Sequence, residues 1–182
     1  MMRATLLLTL LFAVPIAGQA PQRFAPSGRA TSQVSLMNPP QGSPPQVIRV
    51  DYGQPHLRGR AINSDSLVPY GQVWRTGANA TTTLHTDFDL MFGNVHVAKG
   101  SYALFTLPSP GGWLLILQRD EGQMADEYDS AGDIARIPLS HRALAESIES
   151  LTISLVPAMS GLRGELRISW GTSELTAVWS AM

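Results

Sequence analysis

The chain has 182 residues, of which 13 are lysine or arginine and 14 are aspartate or glutamate, so its formal net charge is −1 at pH 7. It contains no cysteine, which excludes disulfides, thiolate nucleophiles, zinc knuckles, cysteine-ligated clusters and a lipid-modified N-terminal cysteine. The near-neutral charge argues against nucleic acid as a partner, and the length suits one folded domain that buries roughly two-thirds of its surface.

Residues 1–20 have the pattern of a secretory signal peptide. A short positive start ending at Arg3 precedes an apolar run from Leu6 to Ile16, and Ala17–Ala20 places small residues where a signal peptidase cleaves. The apolar run falls short of the roughly 20 residues that a membrane-spanning helix needs. We therefore predict cleavage after Ala20 and export to the periplasm or the extracellular medium, as a soluble chain without a membrane span.

Residues 21–46 are predicted to be a linker. Proline lacks the N–H that a β-ladder requires and restricts the residue before it, so a proline-rich stretch does not nucleate a core. Within it, Val34–Leu36 is the one place that could add an edge strand. The folded domain is expected to span residues 47–182. The six prolines of the linker are Pro21, Pro26, Pro39, Pro40, Pro44 and Pro45.

From Val47 onward the sequence alternates with a period of two. Half-buried antiparallel strands place apolar residues on one face and polar residues on the other. Two further segments, Tyr102–Leu107 and Trp113–Gln118, are apolar on both faces, which is typical of central strands. The alternating segments are Leu151–Leu155, Leu166–Trp170 and Leu175–Trp179.

Glycine-rich turns join these segments into hairpins. Gly93-Asn94 predicts a tight turn, Pro108–Gly112 an unpaired loop, and Gly171–Ser173 the turn of a C-terminal hairpin. Only His141–Glu149 looks helical, over about two turns. The expected fold is therefore all-β, an antiparallel sandwich or small barrel with at most one short helix.

The densest motif is LVPYGQVWRTGAN, which occupies Leu67–Asn79. Further motifs accompany it along the chain: Tyr52–Pro55, Gly59-Arg60, Lys99–Tyr102 and Glu149–Ile153. With these motifs, the chain from about Val34 to Trp179 resembles DUF2911, a family of exported bacterial domains of unknown function. The resemblance implies an exported, mostly β domain and brings no assigned activity.

The WRTGAN string admits two interpretations. In the structural one, Trp74 belongs to the core, Arg75 donates to carbonyls of the loop from Gly53 to Tyr70, and Asn79 pins a turn. In the functional one, Arg75 and Asn79 project into a cleft and bind a carboxylate, a phosphate or a sugar hydroxyl, beside a stacking wall of aromatic rings. The residues predicted to bind a ligand are Tyr52, Arg58, Arg60, Tyr70, Trp74, Arg75 and Asn79.

Motifs for covalent catalysis and for metal binding are missing. The sequence has no G-x-S-x-G elbow and no S-x-x-K, and its four histidines lack H-x-H or H-E-x-x-H spacing. His85 and His96, with Asp87 or Asp89, could approach each other in the fold, but both histidines also suit solvent-facing positions. We predict no metal and no cofactor.

Two hypotheses about function therefore stand. The first is an exported, non-catalytic domain that binds a small ligand, a glycan or an envelope partner through the Tyr52–Asn79 region. The second is a secreted enzyme, a hydrolase or an isomerase, with its site around Arg75 and Asn79. A deep pocket that holds Arg75 beside a histidine or carboxylate would favour the enzyme, whereas a shallow groove would favour binding. The oligomeric state does not follow from the sequence.

Overall fold

The computed structural model describes residues 24, 26–64, 67–120 and 128–182. Within these ranges the chain forms nine strands and one short 3₁₀ turn at Ser130–Gly132, and none of the described residues lies in an α-helix. The predicted leader lies outside the described residues. The strands are β1 (Gly28–Ser35), β2 (Val47–Gln54), β3 (Thr83–Thr86), β4 (Leu90–Phe92), β5 (Val95–Val97), β6 (Gly100–Ser109), β7 (Gly112–Arg119), β8 (Asp133–Pro157) and β9 (Arg163–Ala181).

The strands form one sheet in the order β1-β2-β3-β6-β7-β8-β9-β4-β5. Every neighbouring pair is antiparallel. The all-β, antiparallel class expected from the period-two pattern is therefore confirmed. The choice between a sandwich and a barrel stays a prediction.

Two of the predicted turns lie between neighbouring strands. Gly93-Asn94 joins β4 to β5, with Phe92 paired to Val95, so this hairpin is confirmed. The loop between β6 and β7 is shorter than predicted, because the ladder continues through Pro108 and through the pair Ser109 and Gly112. Strand pairing thus leaves only two residues for the turn.

The long strand β9 bends near Gly171, which has a φ of +57°. The Ala181 N–H donates to the Leu162 carbonyl at 2.7 Å, so the two ends of the strand meet. The Ser169 hydroxyl lies 3.2 Å from a Glu174 carboxylate oxygen across the bend. The C-terminal hairpin predicted with its turn at Gly171–Ser173 is therefore wrong, because these residues lie within one continuous strand that pairs with β8 on both sides of the bend.

The helix predicted over His141–Glu149 is wrong, because this segment is part of β8. The first part of β8 pairs with Ser173–Thr176, on the C-terminal side of the bend in β9. The last part of β8 pairs with Gly164–Gly171, on its N-terminal side. Between Ala143 and Ile148 β8 advances five residues while β9 advances two. Because β8 stays antiparallel to both halves of β9, its backbone turns around the bend, and the bulged segment replaces the expected helix.

The segment predicted as a linker contains β1. Residues Gly28–Ser35 pair along their whole length with β2, at one end of the strand order. The described fold therefore begins on the N-terminal side of Val47, and the possible edge strand at Val34–Leu36 is the end of this longer strand. The limits of leader, linker and domain otherwise stay predictions.

The two halves of the sheet approach each other along a seam where the neighbouring strands β1 and β2 meet β8. Past the end of β2, His56 forms a bridge with Ser150, and the Leu151 N–H donates to the Pro55 carbonyl at 2.9 Å. Further along, the Leu155 N–H donates to the Ser32 hydroxyl at 2.9 Å, a side-chain contact in place of a backbone ladder. A backbone hydrogen bond therefore joins the two sides of the seam at one end, whereas a side-chain contact joins them toward the other.

The core follows the alternation of the strands. Leu151, Ile153 and Leu155 are buried, as predicted, together with Leu166, Ile168 and Trp170. β6 is buried on both faces: Tyr102 and Leu104 join the main core, whereas Ala103 and Phe105 form a smaller cluster with Ile116. Val73, which precedes the WRTGAN string, packs against that smaller cluster.

Candidate functional site

The predicted ligand-binding segment lies along β6. The Gly71 N–H donates to the Pro108 carbonyl at 2.9 Å, and Trp74 and Thr106 exchange two backbone hydrogen bonds of 2.8 Å. β3 pairs with the first part of β6, and the segment around Trp74 hydrogen-bonds to the same edge of β6 further along the strand. The backbone on both sides of Val73 is therefore fixed by the sheet.

Thr76 reverses the chain directly after Arg75. It has a φ of +52°, which is unusual for a β-branched residue, and it is fully buried. Its hydroxyl lies 3.1 Å from that of Thr106, and its carbonyl accepts from the Thr82 hydroxyl at 3.1 Å. These buried contacts hold the strained residue in place, and with it the direction of Arg75.

Two glycines let this segment approach β2 closely. The Ala78 N–H donates to the Gly53 carbonyl at 3.2 Å. A Cβ on Gly53 would lie 1.7 Å from the Ala78 carbonyl oxygen, and a Cβ on Gly77 would lie 2.6 Å from the Thr82 hydroxyl. The TGAN segment therefore packs against β2 through its backbone, which the two glycines permit.

The aromatic residues of the predicted site are mostly occupied within the fold. Tyr52 is 3% exposed and belongs to the core. Trp74 is half-buried and stacks on Trp170, with ring centroids 5.6 Å apart and an interplanar angle of 16°. Only Tyr70, which is 46% exposed, presents a ring to solvent, and its hydroxyl accepts from the Asn63 amide at 2.7 Å.

Three of the predicted polar residues donate to backbone carbonyls. Arg58 donates to Pro26 at 3.0 Å, and Arg60 donates to Leu57 at 2.9 Å and to His56 at 3.0 Å. The Asn79 amide donates to Ser27 at 3.1 Å. These side chains carry out the loop-fixing role that the structural interpretation assigned to Arg75.

Arg75 itself is exposed. Its guanidinium lies 3.5 Å from the Asn79 carbonyl oxygen, at the outer limit of a hydrogen bond. It forms no ion pair with any residue that the structure describes. Arg75 is therefore the predicted residue whose polar groups are least engaged within the fold, and Tyr70 is the predicted aromatic residue that is exposed.

The histidines do not converge on one site. His85 lies 3.2 Å from Asp87, and His96 lies 3.1 Å from Asp89, so each histidine pairs with a different aspartate. Hydrogen bonds from backbone N–H groups, of Val47 and Lys99 respectively, hold the pKa of each aspartate below its usual value. Within the described part of the chain no group of three or more potential ligands could hold a metal ion.

A groove that the sequence did not indicate lies between the end of β1 and the connection from β8 to β9. It has a volume of 560 Å³, and its lining includes Val34, Leu155 and Trp179. A second cavity of 420 Å³ is lined by residues that include His85, Asp87 and Lys99. Neither cavity is lined by any of the seven residues predicted to bind a ligand. No sequence motif marks the groove, because distant segments form it.

The comparisons with known proteins support one assignment. No curated protein and no solved structure matches the chain. In the part of the chain that the structure describes, no helix is long and apolar enough to cross a bilayer. The model of the family described as "Protein of unknown function (DUF2911)" matches residues 41–178. The chain therefore belongs to the DUF2911 family.

Proposed function

We propose that this protein is an exported, non-catalytic domain that binds a small ligand or a glycan through the exposed side chains of Tyr70 and Arg75. The observation that carries the proposal is the state of Arg75. Its guanidinium is exposed on a backbone fixed to β6, and its one hydrogen-bond contact among the described residues is 3.5 Å long. Most of its five donors are therefore available to a ligand.

The chemistry of the two side chains indicates the kind of ligand. A guanidinium binds carboxylate, phosphate or vicinal hydroxyl groups through paired donors, and a tyrosine ring offers a flat apolar wall for a sugar. Arg58, Arg60 and Asn79 support this surface by fixing the loops that flank it. Tyr52 and Trp74 support it from below, within the core.

The contacts of Arg75 and Asn79 favour binding over catalysis. The Asn79 amide is engaged by the Ser27 carbonyl. No described histidine or carboxylate is paired with Arg75. A hydrolase or isomerase would need an acid or base within hydrogen-bond reach of the reacting group.

A thermal-shift screen against glycans, carboxylates and phosphates tests the binding site. A ligand at about 100 times its Kd stabilises the folded state by about 2.7 kcal/mol, which for this size raises the Tm by roughly 5–10 °C. We expect this shift in the wild type and in Arg49→Ala, which removes an exposed arginine on β2. We expect it to be lost in Arg75→Ala and reduced in Tyr70→Ala. Equal ligand shifts in all four proteins would refute the site.

Export is tested separately. The apolar run before Ala20 and the small residues that follow it support a cleaved leader. Expression of the full chain in a Gram-negative host should give a periplasmic or released product whose intact mass corresponds to a start at Pro21. A cytoplasmic product that keeps Met1–Ala20 would contradict this part of the proposal.

A further inference from the structure

The groove beside β1 lies where the seam between the two halves of the sheet opens. The last seam contact is the hydrogen bond from the Leu155 N–H to the Ser32 hydroxyl. Beyond it, Gln33–Met37 form one wall and Leu155–Arg163 form the other. Ile48 and Trp179, both in the main core, also line the groove. The groove therefore leads from the surface to the core between two strands that are not paired there.

Trp179, which lines this groove, leaves one buried hydrogen-bond donor unused beneath it. The residue is 4% exposed, and its indole N–H finds no acceptor among the residues that the structure describes. By contrast, the buried Trp170 donates its N–H to the Glu149 carbonyl at 3.1 Å. A buried donor without an acceptor costs about 1–3 kcal/mol, so native proteins rarely retain one without a reason.

Most of the lining is apolar, with Gln33, Ser35 and Ser160 as uncharged polar residues and one cation. Of the described residues that line the groove, Arg163 is the one charged side chain, and none is acidic. Arg163 forms no ion pair with any described residue. Met37, Met159 and Leu162 expose large apolar side chains at the rim. Exposed apolar groups around an opening mark a binding surface more often than isolated ones do.

We propose that this groove binds a long-chain carboxylate, that is, a fatty-acid-like amphiphile. The apolar walls receive the alkyl chain, and the Arg163 guanidinium binds the carboxylate. The volume of 560 Å³ lies within the range of about 300–1,000 Å³ for small-molecule pockets.

The proposal is independent of the surface at Tyr70 and Arg75, because the two sites share none of their lining residues. It also differs in chemistry, since the groove combines one cation with mostly apolar walls. Success or failure at one site therefore does not decide the other.

Two-dimensional ¹H–¹⁵N NMR of the purified full chain with laurate, below its micelle concentration, tests the proposal. The four tryptophans give four indole N–H signals, and Trp179→Phe identifies the one that belongs to Trp179. Laurate should shift this signal and leave that of Trp170, which already has an acceptor, largely unchanged. If Trp179→Phe does not fold, the Arg163 comparison below decides the matter.

Titrations of the variants distinguish a carboxylate site from general apolar binding. Arg163→Ala should weaken laurate binding by about tenfold and change the binding of lauryl alcohol by less than twofold. Lys99→Ala, which removes one positive charge from an exposed turn, should bind laurate like the wild type. The inference is overturned if saturating laurate leaves all four indole signals unmoved. It is also overturned if Arg163→Ala and Lys99→Ala bind laurate equally well.

Discussion

Replacing Gly53 with alanine should loosen the contact that holds the Trp74–Asn79 segment on β2. The new Cβ would lie 1.7 Å from the Ala78 carbonyl oxygen and 2.6 Å from its carbonyl carbon. Real Cβ atoms essentially never come closer than 3.0 Å to another heavy atom, so the Ala78 peptide would have to move by 1.3 Å, the difference between 3.0 and 1.7. Both contacting atoms are backbone, so no side chain can rotate away to relieve them.

The cost can be estimated from its parts. Overpacking of this kind costs about 1–3 kcal/mol. The hydrogen bond from the Ala78 N–H to the Gly53 carbonyl, already 3.2 Å long, would be lost at about 1 kcal/mol. Alanine recovers about 0.4–1 kcal/mol because it restricts the unfolded chain. The expected net loss of stability is therefore about 1–3 kcal/mol.

Urea unfolding followed by tryptophan fluorescence measures this loss. Gly28→Ala is the matched control, because a Cβ at Gly28 would meet no atom within 4 Å. We expect Gly28→Ala to match or slightly exceed the wild type in stability, and Gly53→Ala to unfold at a clearly lower urea concentration with an unchanged m-value. If the two variants unfold at the same midpoint, the close approach of β2 and the TGAN turn does not exist as described.

Three further predictions address the core, the response to acid and the seam. Trp170→Phe removes the N–H that donates to the Glu149 carbonyl and part of the stack on Trp74. The free energy of unfolding should therefore fall by about 2–3 kcal/mol. A fall of less than about 0.5 kcal/mol would contradict the stack. A hydrogen bond from Arg142 holds the pKa of Glu174 below its usual value, so this carboxylate contributes stability above about pH 4.5 that is lost as the pH falls through its folded pKa. Arg142→Ala should therefore flatten the decline of unfolding free energy below that pH, and an unchanged decline would show that the pair has no energetic role. Ser32→Ala leaves the buried Leu155 N–H without its acceptor and should lower the free energy of unfolding, measured in urea, by about 1–3 kcal/mol. Ser35→Ala, at an exposed position, should lower it by less than about 0.5 kcal/mol. Equal losses in the two variants would place the seam elsewhere.

Alternation along the chain made the class of fold predictable. Leu151, Ile153 and Leu155 point to one face because strand side chains alternate, and the structure buries all three. The turn at Gly93-Asn94 was readable for a similarly local reason, since a tight hairpin requires residues that tolerate positive φ. The segment His141–Glu149 misled because two helical turns hold little intrinsic stability, and pairing with β9 outweighs it.

The predicted site was only partly readable. The residue types of Trp74, Arg75 and Asn79 suggested both a structural and a binding role, and the structure divides these roles among them. Arg58, Arg60 and Asn79 donate to carbonyls of neighbouring loops, whereas Arg75 faces solvent. No spacing rule could make this division, because each acceptor is set by where the loops between β2 and β3 come to lie.

The sequence by itself determined the β architecture, the position of two reversals and the membership in DUF2911, because these depend on local alternation, turn residues and a contiguous motif. The tertiary structure alone decided that Tyr52 is core, that β8 turns around the bend of β9, and that Val34, Arg163 and Trp179 share a groove. These features depend on which distant strands meet. The groove exists because β1 and β8 separate beyond Ser32, a consequence of strand pairing that no single segment encodes.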